Sequence, residues 1–277
     1  MQVTMVDDKI VDAEKLDKVH FDRAMFFGDG VYEVIRSYNG KIFALEDHML
    51  RFSNSLKAIG ITAVTAEQVQ EKVLKAFEVA NLANAKIYFH VTRGSGPRKH
   101  EWDNNLKPNF FLTIDELGDF TAVKNKGIAV STYPDLRWKR CDIKSLNLLA
   151  NVIAKQDAAE KGYQEAILVD DRGFITEGAG SAFFAIFDGK IHVTPLGHEI
   201  LPSVTRKYVL KAADNIGMET IQKQFTPDQA AQADELFIAV TTKDIVPVVK
   251  FDSQTIKNGN PGRYTKLLIE EFKVFTK

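Results

Sequence analysis

This chain predicts an α+β fold in two parts, the second rich in strands. Amphipathic helices and alternating strands interleave over the first 117 residues, a polar stretch, GDFTAVKNKG, then interrupts the pattern, and short strands dominate beyond it. The expected units are a small one over 1–117, a connection at 118–121 and a larger one over 122–277. A chain of 277 residues can bury two cores of that size.

GVYEVIRSYNGKIFAL reads as two strands around Asn39-Gly40, a dipeptide that tolerates the positive φ angles of a tight hairpin. The period of two then puts Tyr32, Val34 and Arg36 on one face. LEDHMLRFSNSLKAIGI lines up Leu45, Met49, Phe52, Leu56 and Ile59 as one helical stripe ending at Gly60, with Arg51 beside it. AEQVQEKVLKAFEVANL predicts a second amphipathic helix, and KIYFHVTRG and NFFLTIDEL predict strands joined by the polar loop SGPRKHEWDNN. After the connection come strand IAVSTYP and a helix directly behind Lys144 in which Leu148, Val152 and Ile153 need burial. Strand EAILVD, a turn at DDRG, FITEGAG and strands SAFFAIF and KIHVTP follow. A helix from about Ser203 to Ile216, strand ELFIAVTT and a helix at YTKLLIEEF complete the chain, with no internal repeat.

The 36 basic and 37 acidic residues give a net charge of −1, so no field of one sign reaches toward nucleic acid or anionic lipid. One cysteine, Cys141, excludes an intramolecular disulfide and a multi-cysteine metal site, and it fits a reducing, cytoplasmic setting. The opening MQVTMVDDKIVDAEK has no secretory pattern, and apolar runs such as AFFAIF are too short to cross a bilayer. Six scattered histidines offer no metal constellation.

Four places could carry chemistry. Most lysines are solvated, but Lys144 stands where a polar turn meets a helix that needs burial. Burial disfavours the charged form of an amine, and a neutral amine can attack a carbonyl to form a Schiff base. Glu177 stands at a strand end beside Gly178 and Gly180. It is either an acid in an ordinary turn or the carboxylate that keeps a heteroaromatic nitrogen protonated. Ser203 reads as an N-cap, leaving the N–H groups of Val204 and Thr205 free for water or for a phosphate, to which Arg51 could add a forked contact. Arg98 and His100, two apart in a basic loop, could converge on a carboxylate or simply be solvated.

FFGDGVYEVIRSYNGKIFALEDHMLRF, IYFHVTRGSGPRKH, RWKRCDIKSLNLLANVIAKQDAAEKG, EAILVDDRGFITEG, SVTR and DELFIAVTTKDIVPV occur in the order found in fold-type IV pyridoxal-5′-phosphate enzymes. The chain resembles the D-amino-acid aminotransferases of that family from about Asp22 to Pro247. The resemblance implies a larger, barrel-like C-terminal domain and a cofactor, pyridoxal 5′-phosphate, bound to Lys144 as a Schiff base. It implies that Lys144 also moves the proton between the substrate α-carbon and the cofactor. It pairs Glu177 with the pyridinium nitrogen, assigns Arg51, Val204, Thr205 and Thr241 to the phosphate, and packs Leu201 on the ring. It implies a carboxylate trap of Tyr32, Arg98 and His100, the last two reaching in from the neighbouring subunit of a homodimer. The implied reaction is ping-pong transamination between a D-amino acid (D-alanine, D-glutamate) and a 2-oxo acid (2-oxoglutarate, pyruvate), through the pyridoxamine form.

Two departures stand out. The glycine motif continues as Ala179, Gly180, Ser181 and Ala182 where the family has a serine-rich run ending in asparagine, and Val240 stands where a hydroxyl is common. Arg36, on the face of Tyr32, is expected to be a second cation favouring dicarboxylic substrates. Branched-chain L-aminotransferases, amine transaminases and aminodeoxychorismate lyases share the scaffold and are the competing activities. A cofactor-binding relative without catalysis is the competing class.

Overall fold

The computed structural model describes residues 3–277. A short hairpin, β1 (Thr4–Val6) with β2 (Lys9–Val11), precedes the first unit. That unit runs α1 (Arg23–Phe27), β3 (Gly30–Tyr38), β4 (Lys41–Ile42), α2 (Leu45–Ala58), α3 (Ala66–Ala80), β5 (Ala85–Thr92) and β6 (Asn109–Glu116). Its antiparallel sheet has the order β4-β3-β5-β6. Asn39 and Gly40 turn the first hairpin at φ 50° and 80°, as the dipeptide predicts. Alternation on β3 sends Val31 and Ile35 into a core with Met49, Phe52 and Leu56 of α2. Leu45 and Ile59, at the ends of the stripe, are half-buried against the same core. The opposite face of β3 carries Tyr32, Val34, Arg36 and Tyr38, and it looks toward the second unit.

The second unit continues with α4 (Thr121–Lys126), β7 (Ile128–Pro134), α5 (Leu149–Glu160), β8 (Glu165–Val169), β9 (Ile175–Gly178), β10 (Ala182–Phe187) and β11 (Lys190–Val193). Then come α6 (Val204–Asn215), β12 (Thr220–Gln222), α7 (Pro227–Ala231), β13 (Glu235–Val240), β14 (Asp244–Phe251), β15 (Gln254–Thr255) and α8 (Arg263–Phe272). The strands form a nine-stranded sheet curled into a half-barrel, in the order β12-β11-β10-β13-β14-β7-β8-β9 with β15 added to β14. Its two faces bury separate apolar clusters, one holding Phe183, Phe225 and Phe251, the other the stacked rings of Phe184 and Phe237. Each fully buried ring contributes about 2–3 kcal/mol. Among the described residues no helix is long and apolar enough to cross a membrane.

Two expectations for the region behind Lys144 need correction. The lysine is not directly ahead of the helix: Ser145 first bridges to Val31 of β3, and α5 starts only at Leu149. Nor are Val152 and Ile153 buried; Val152 is 58% exposed, Ile153 is 47% exposed, and Leu149 is 72% exposed. The helix instead lays Ala154 and Ala158 against Ala166 and Leu168 of β8. Small side chains one turn apart allow that close approach and turn the larger ones outward.

Candidate active site

Between the two sheets lies a cavity of about 230 Å³ lined by Tyr32, Arg51, Lys144, Glu177, Leu201 and Thr241 among others. Lys144 is held through its backbone. Its N–H donates to Ser55 Oγ of α2 at 3.1 Å, and its carbonyl accepts from Tyr32 N at 3.0 Å. The side chain is half-buried, and Nζ sits 4.1 Å from the Tyr32 ring centroid, a cation–π distance. The amine therefore has a fixed origin, and no carboxylate pairs with it among the described residues.

Glu177, at the end of β9, is 5% exposed. Its Oε1 accepts from Arg137 Nη1 at 2.5 Å and from Leu201 N at 3.2 Å. Burial raises its carboxyl above the usual range, against the opposing pull of Arg137. Arg137 is itself anchored by Asp135 at 2.7 Å, and Thr176 Oγ1 donates to the same carboxylate. Neither Arg137 nor Asp135 was singled out from the sequence. They lie on the strand end after β7 and meet Glu177 only because β8 and β9 fold back beside it. Cys141 also lines the cavity; burial raises its thiol to about 12, so it is an inert neighbour.

At the other end, Ser203 caps α6 by accepting from Arg206 N at 3.1 Å, worth about 1 kcal/mol. The N–H groups of Val204 and Thr205 have no partner among the described residues. Arg51 donates from Nε and Nη2 to the two oxygens of Glu33, each at 2.7 Å, and from Nη1 to Pro202 O at 3.1 Å. Glu33 is 0% exposed and also meets His48 Nδ1 at 2.8 Å. The guanidinium is thereby locked in one plane with N–H groups to spare. The N–H and hydroxyl of Thr241 are likewise without partners among the described residues.

The glycine motif is tied down from behind. Gly178 N donates to Ser181 O at 2.8 Å, Asn151 Nδ2 to Ala179 O at 2.8 Å, and Ser181 Oγ to the buried Glu165 at 3.3 Å. Ala179, Gly180, Ala182 and Val240 all line the cavity, so both departures fall on its wall.

Five residues expected at the site lie outside the cavity lining of their own chain: Val204 and Thr205, which follow the lining residue Ser203 on α6, and Arg98, His100 and Arg36. Arg98 and His100 are exposed; Arg98 packs 5.4 Å over Phe27, while Arg23 holds the carbonyls of Lys99 and His100. Arg36 is buried but absent from the lining, since its Nη1 donates to Thr242 O at 2.8 Å and to Asp244 Oδ1 at 3.3 Å. It is not a free cation at the pocket.

A lone amine, a buried acid and a cluster of unpartnered N–H donors around one cavity define a site for an anionic ring cofactor that can bond covalently to lysine. Residues 30–251 match the amino-transferase class IV family, and the chain belongs to it. It is 39% identical over 246 residues to a D-alanine aminotransferase of Bacillus licheniformis, covering 88% of this chain and 87% of that protein. It is 34% identical over 279 residues to that of Staphylococcus aureus strain N315, covering 99% and 98%. The branched-chain amino acid aminotransferase of Escherichia coli superposes with a TM-score of 0.87 at 24% identity, covering 98% of this chain and 93% of that one. A branched-chain amino acid aminotransferase solved with pyridoxamine 5′-phosphate superposes at 0.86 and 25%, covering 96% and 92%. The chain is an aminotransferase. The family works with pyridoxal 5′-phosphate, and the donor set fits that group: free N–H groups for its phosphate, an acid for its ring nitrogen and an amine for its aldehyde.

Proposed function

We propose that this aminotransferase moves the amino group of a D-amino acid to a 2-oxo acid in two half reactions, with D-alanine and 2-oxoglutarate as the representative pair. The observation that carries the chemistry is the one cavity lined by Lys144, Glu177 and Ser203, the N-cap of α6. The similarity to D-alanine aminotransferases, together with the Arg98 and His100 loop, supports the D isomer. Bound cofactor supplies an electron sink for the substrate α-carbon.

The chain's own residues do the rest. Lys144 would anchor the cofactor and would carry the proton to and from the substrate α-carbon. Glu177 holds the ring nitrogen protonated, Leu201 packs against the ring, and Arg51, Val204, Thr205 and Thr241 hold the phosphate. Tyr32 takes one side of the substrate carboxylate, and Arg98 and His100 of the partner subunit take the other. The active form is then a cytoplasmic homodimer. Each protomer has two domains, 1–117 and 122–277, joined at 118–121.

The second reading, a branched-chain L-aminotransferase, is favoured by the fold likeness to those enzymes. One experiment separates the two. Cofactor-loaded protein is mixed separately with D-alanine and with L-leucine while its visible band is followed. Bleaching by D-alanine alone is expected, whereas bleaching by L-leucine alone would transfer the chain to the other branch.

A further inference from the structure

Arg36 is a buried cation that the assigned chemistry leaves unused, and its surroundings give it a task. Asp244, the first residue of β14, gathers three donor side chains from two elements: Arg36 and Tyr38 Oη from β3, and Lys124 Nζ from α4 at 2.6 Å. The Arg36 guanidinium lies 4.3 Å over the Tyr38 ring, and its Nε has no partner although it is buried. Retaining an unsatisfied donor costs stability, so the position of this side chain is worth more than its own complement of bonds.

What it holds is the turn between β13 and β14. Arg36 Nη1 donates to the Thr242 carbonyl, and Asp244 adopts φ 60°, a left-handed conformation uncommon outside glycine, asparagine and aspartate. The preceding residues of this turn are Thr241 and Thr242, which form part of the cavity wall. The unpartnered N–H and hydroxyl of Thr241 can serve an anion only if the turn is placed to within a fraction of an ångström. Neither Arg36 nor Asp244 lines the cavity.

We infer that Arg36 and Asp244 are positioning residues for the phosphate site: they clamp the Thr241–Thr242 turn from the first unit, so that cofactor affinity depends on a contact between the two units. The inference rests on the cofactor reading above.

The test compares two ligands that differ only in the phosphate. Dissociation constants for pyridoxal 5′-phosphate and for pyridoxal are measured by absorbance titration on wild type, Arg36→Met and Asp244→Asn. Asparagine keeps the left-handed backbone accessible. In both variants the preference for the phosphorylated ligand should fall about tenfold, with pyridoxal affinity held within about twofold. The Asp244 variant is the sharper one. It removes a negative charge, so simple electrostatics would tighten phosphate binding, whereas lost positioning weakens it. Parallel weakening of both ligands, an unchanged ratio, or tighter phosphate binding by Asp244→Asn would overturn the inference. A wild-type protein with no preference for the phosphorylated ligand would instead overturn the cofactor reading itself, and this inference with it.

Discussion

Two side chains, Lys144 and Glu33, show how differently single residues support this site. Lys144 has its backbone fixed by α2 and β3 and its amine left unpaired by any carboxylate among the described residues. Lys144→Ala removes anchor and proton carrier together, so steady-state turnover should fall below detection while the unfolding temperature stays close to wild type; near-normal turnover would refute the assignment. Glu33 does no chemistry but faces Arg51 and His48 in a fully buried cluster. Burial alone would raise its carboxyl, yet the two partners hold it at about 2, below the ordinary 4.5. A depressed carboxylate stabilises the fold above its unfolded value and loses that contribution as pH falls toward its folded one. Stability should therefore decline as pH drops from 4.5 to about 2. Burial also lowers His48, which favours its neutral form and adds to the acid sensitivity. Glu33→Gln should flatten this part of the pH profile in chemical unfolding experiments. At neutral pH it should cost about 3–5 kcal/mol, because Arg51 would be left buried without its counter-charge.

At the scale of elements, the loop from Glu177 to Ala182 divides two glycines that look alike in the sequence. A Cβ on Gly178 would lie 2.2 Å from Ser181 Oγ and 3.1 Å from its carbonyl, whereas one on Gly180 would meet only Glu165 Oε2 at 3.8 Å. Gly178→Ala should therefore cost about 1–3 kcal/mol through overpacking, and Gly180→Ser should stay within about 0.5 kcal/mol. Urea unfolding of the two variants measures both; equal losses would mean that Gly180 is needed for its backbone. Of the two glycines, only Gly178 stands where an added side chain would meet its neighbours closely. In α5 the apolar content was legible but the buried face was not. Leu148, Val152 and Ile153 make the stronger stripe on paper, yet Val152 and Ile153 are exposed and the sheet receives Ala154 and Ala158. Hydrophobic periodicity ranks faces by apolarity, while packing against β8 selects the face that permits the closest approach. By contrast, the N-cap at Ser203 and the Asn39-Gly40 turn depend on local chemistry, and both were readable residue by residue.

For the whole molecule, Lys144, Glu177, Arg51, Leu201 and Thr241, all carried by sequence motifs, line one cavity. The acid-anchoring pair Asp135 and Arg137 and the turn clamp on Asp244 were illegible, because they arise only when distant strands meet. Arg98 and His100 pose the opposite problem: they carry a recognisable motif but do not line the cavity of their own chain. Arg23 fixes the backbone of their loop in an exposed position, which is what presentation to a second subunit requires. Leu149 and Val152 of α5 are exposed apolar residues of the kind that oligomer interfaces cover. If the loop works across a dimer, two defective chains can repair one another. A Lys144→Ala subunit still presents Arg98, and an Arg98→Ala subunit still contains Lys144, so each mixed dimer holds one complete site and one doubly defective site. Unfolding and refolding the two variants together at equal ratio gives half mixed dimers by random pairing, and hence about a quarter of the wild-type number of sites. Transamination of D-alanine should recover to about that level from two inactive parents. Recovery absent despite demonstrated subunit exchange would place Arg98 in its own chain's site or outside the reaction, and the shared carboxylate trap would have to be abandoned.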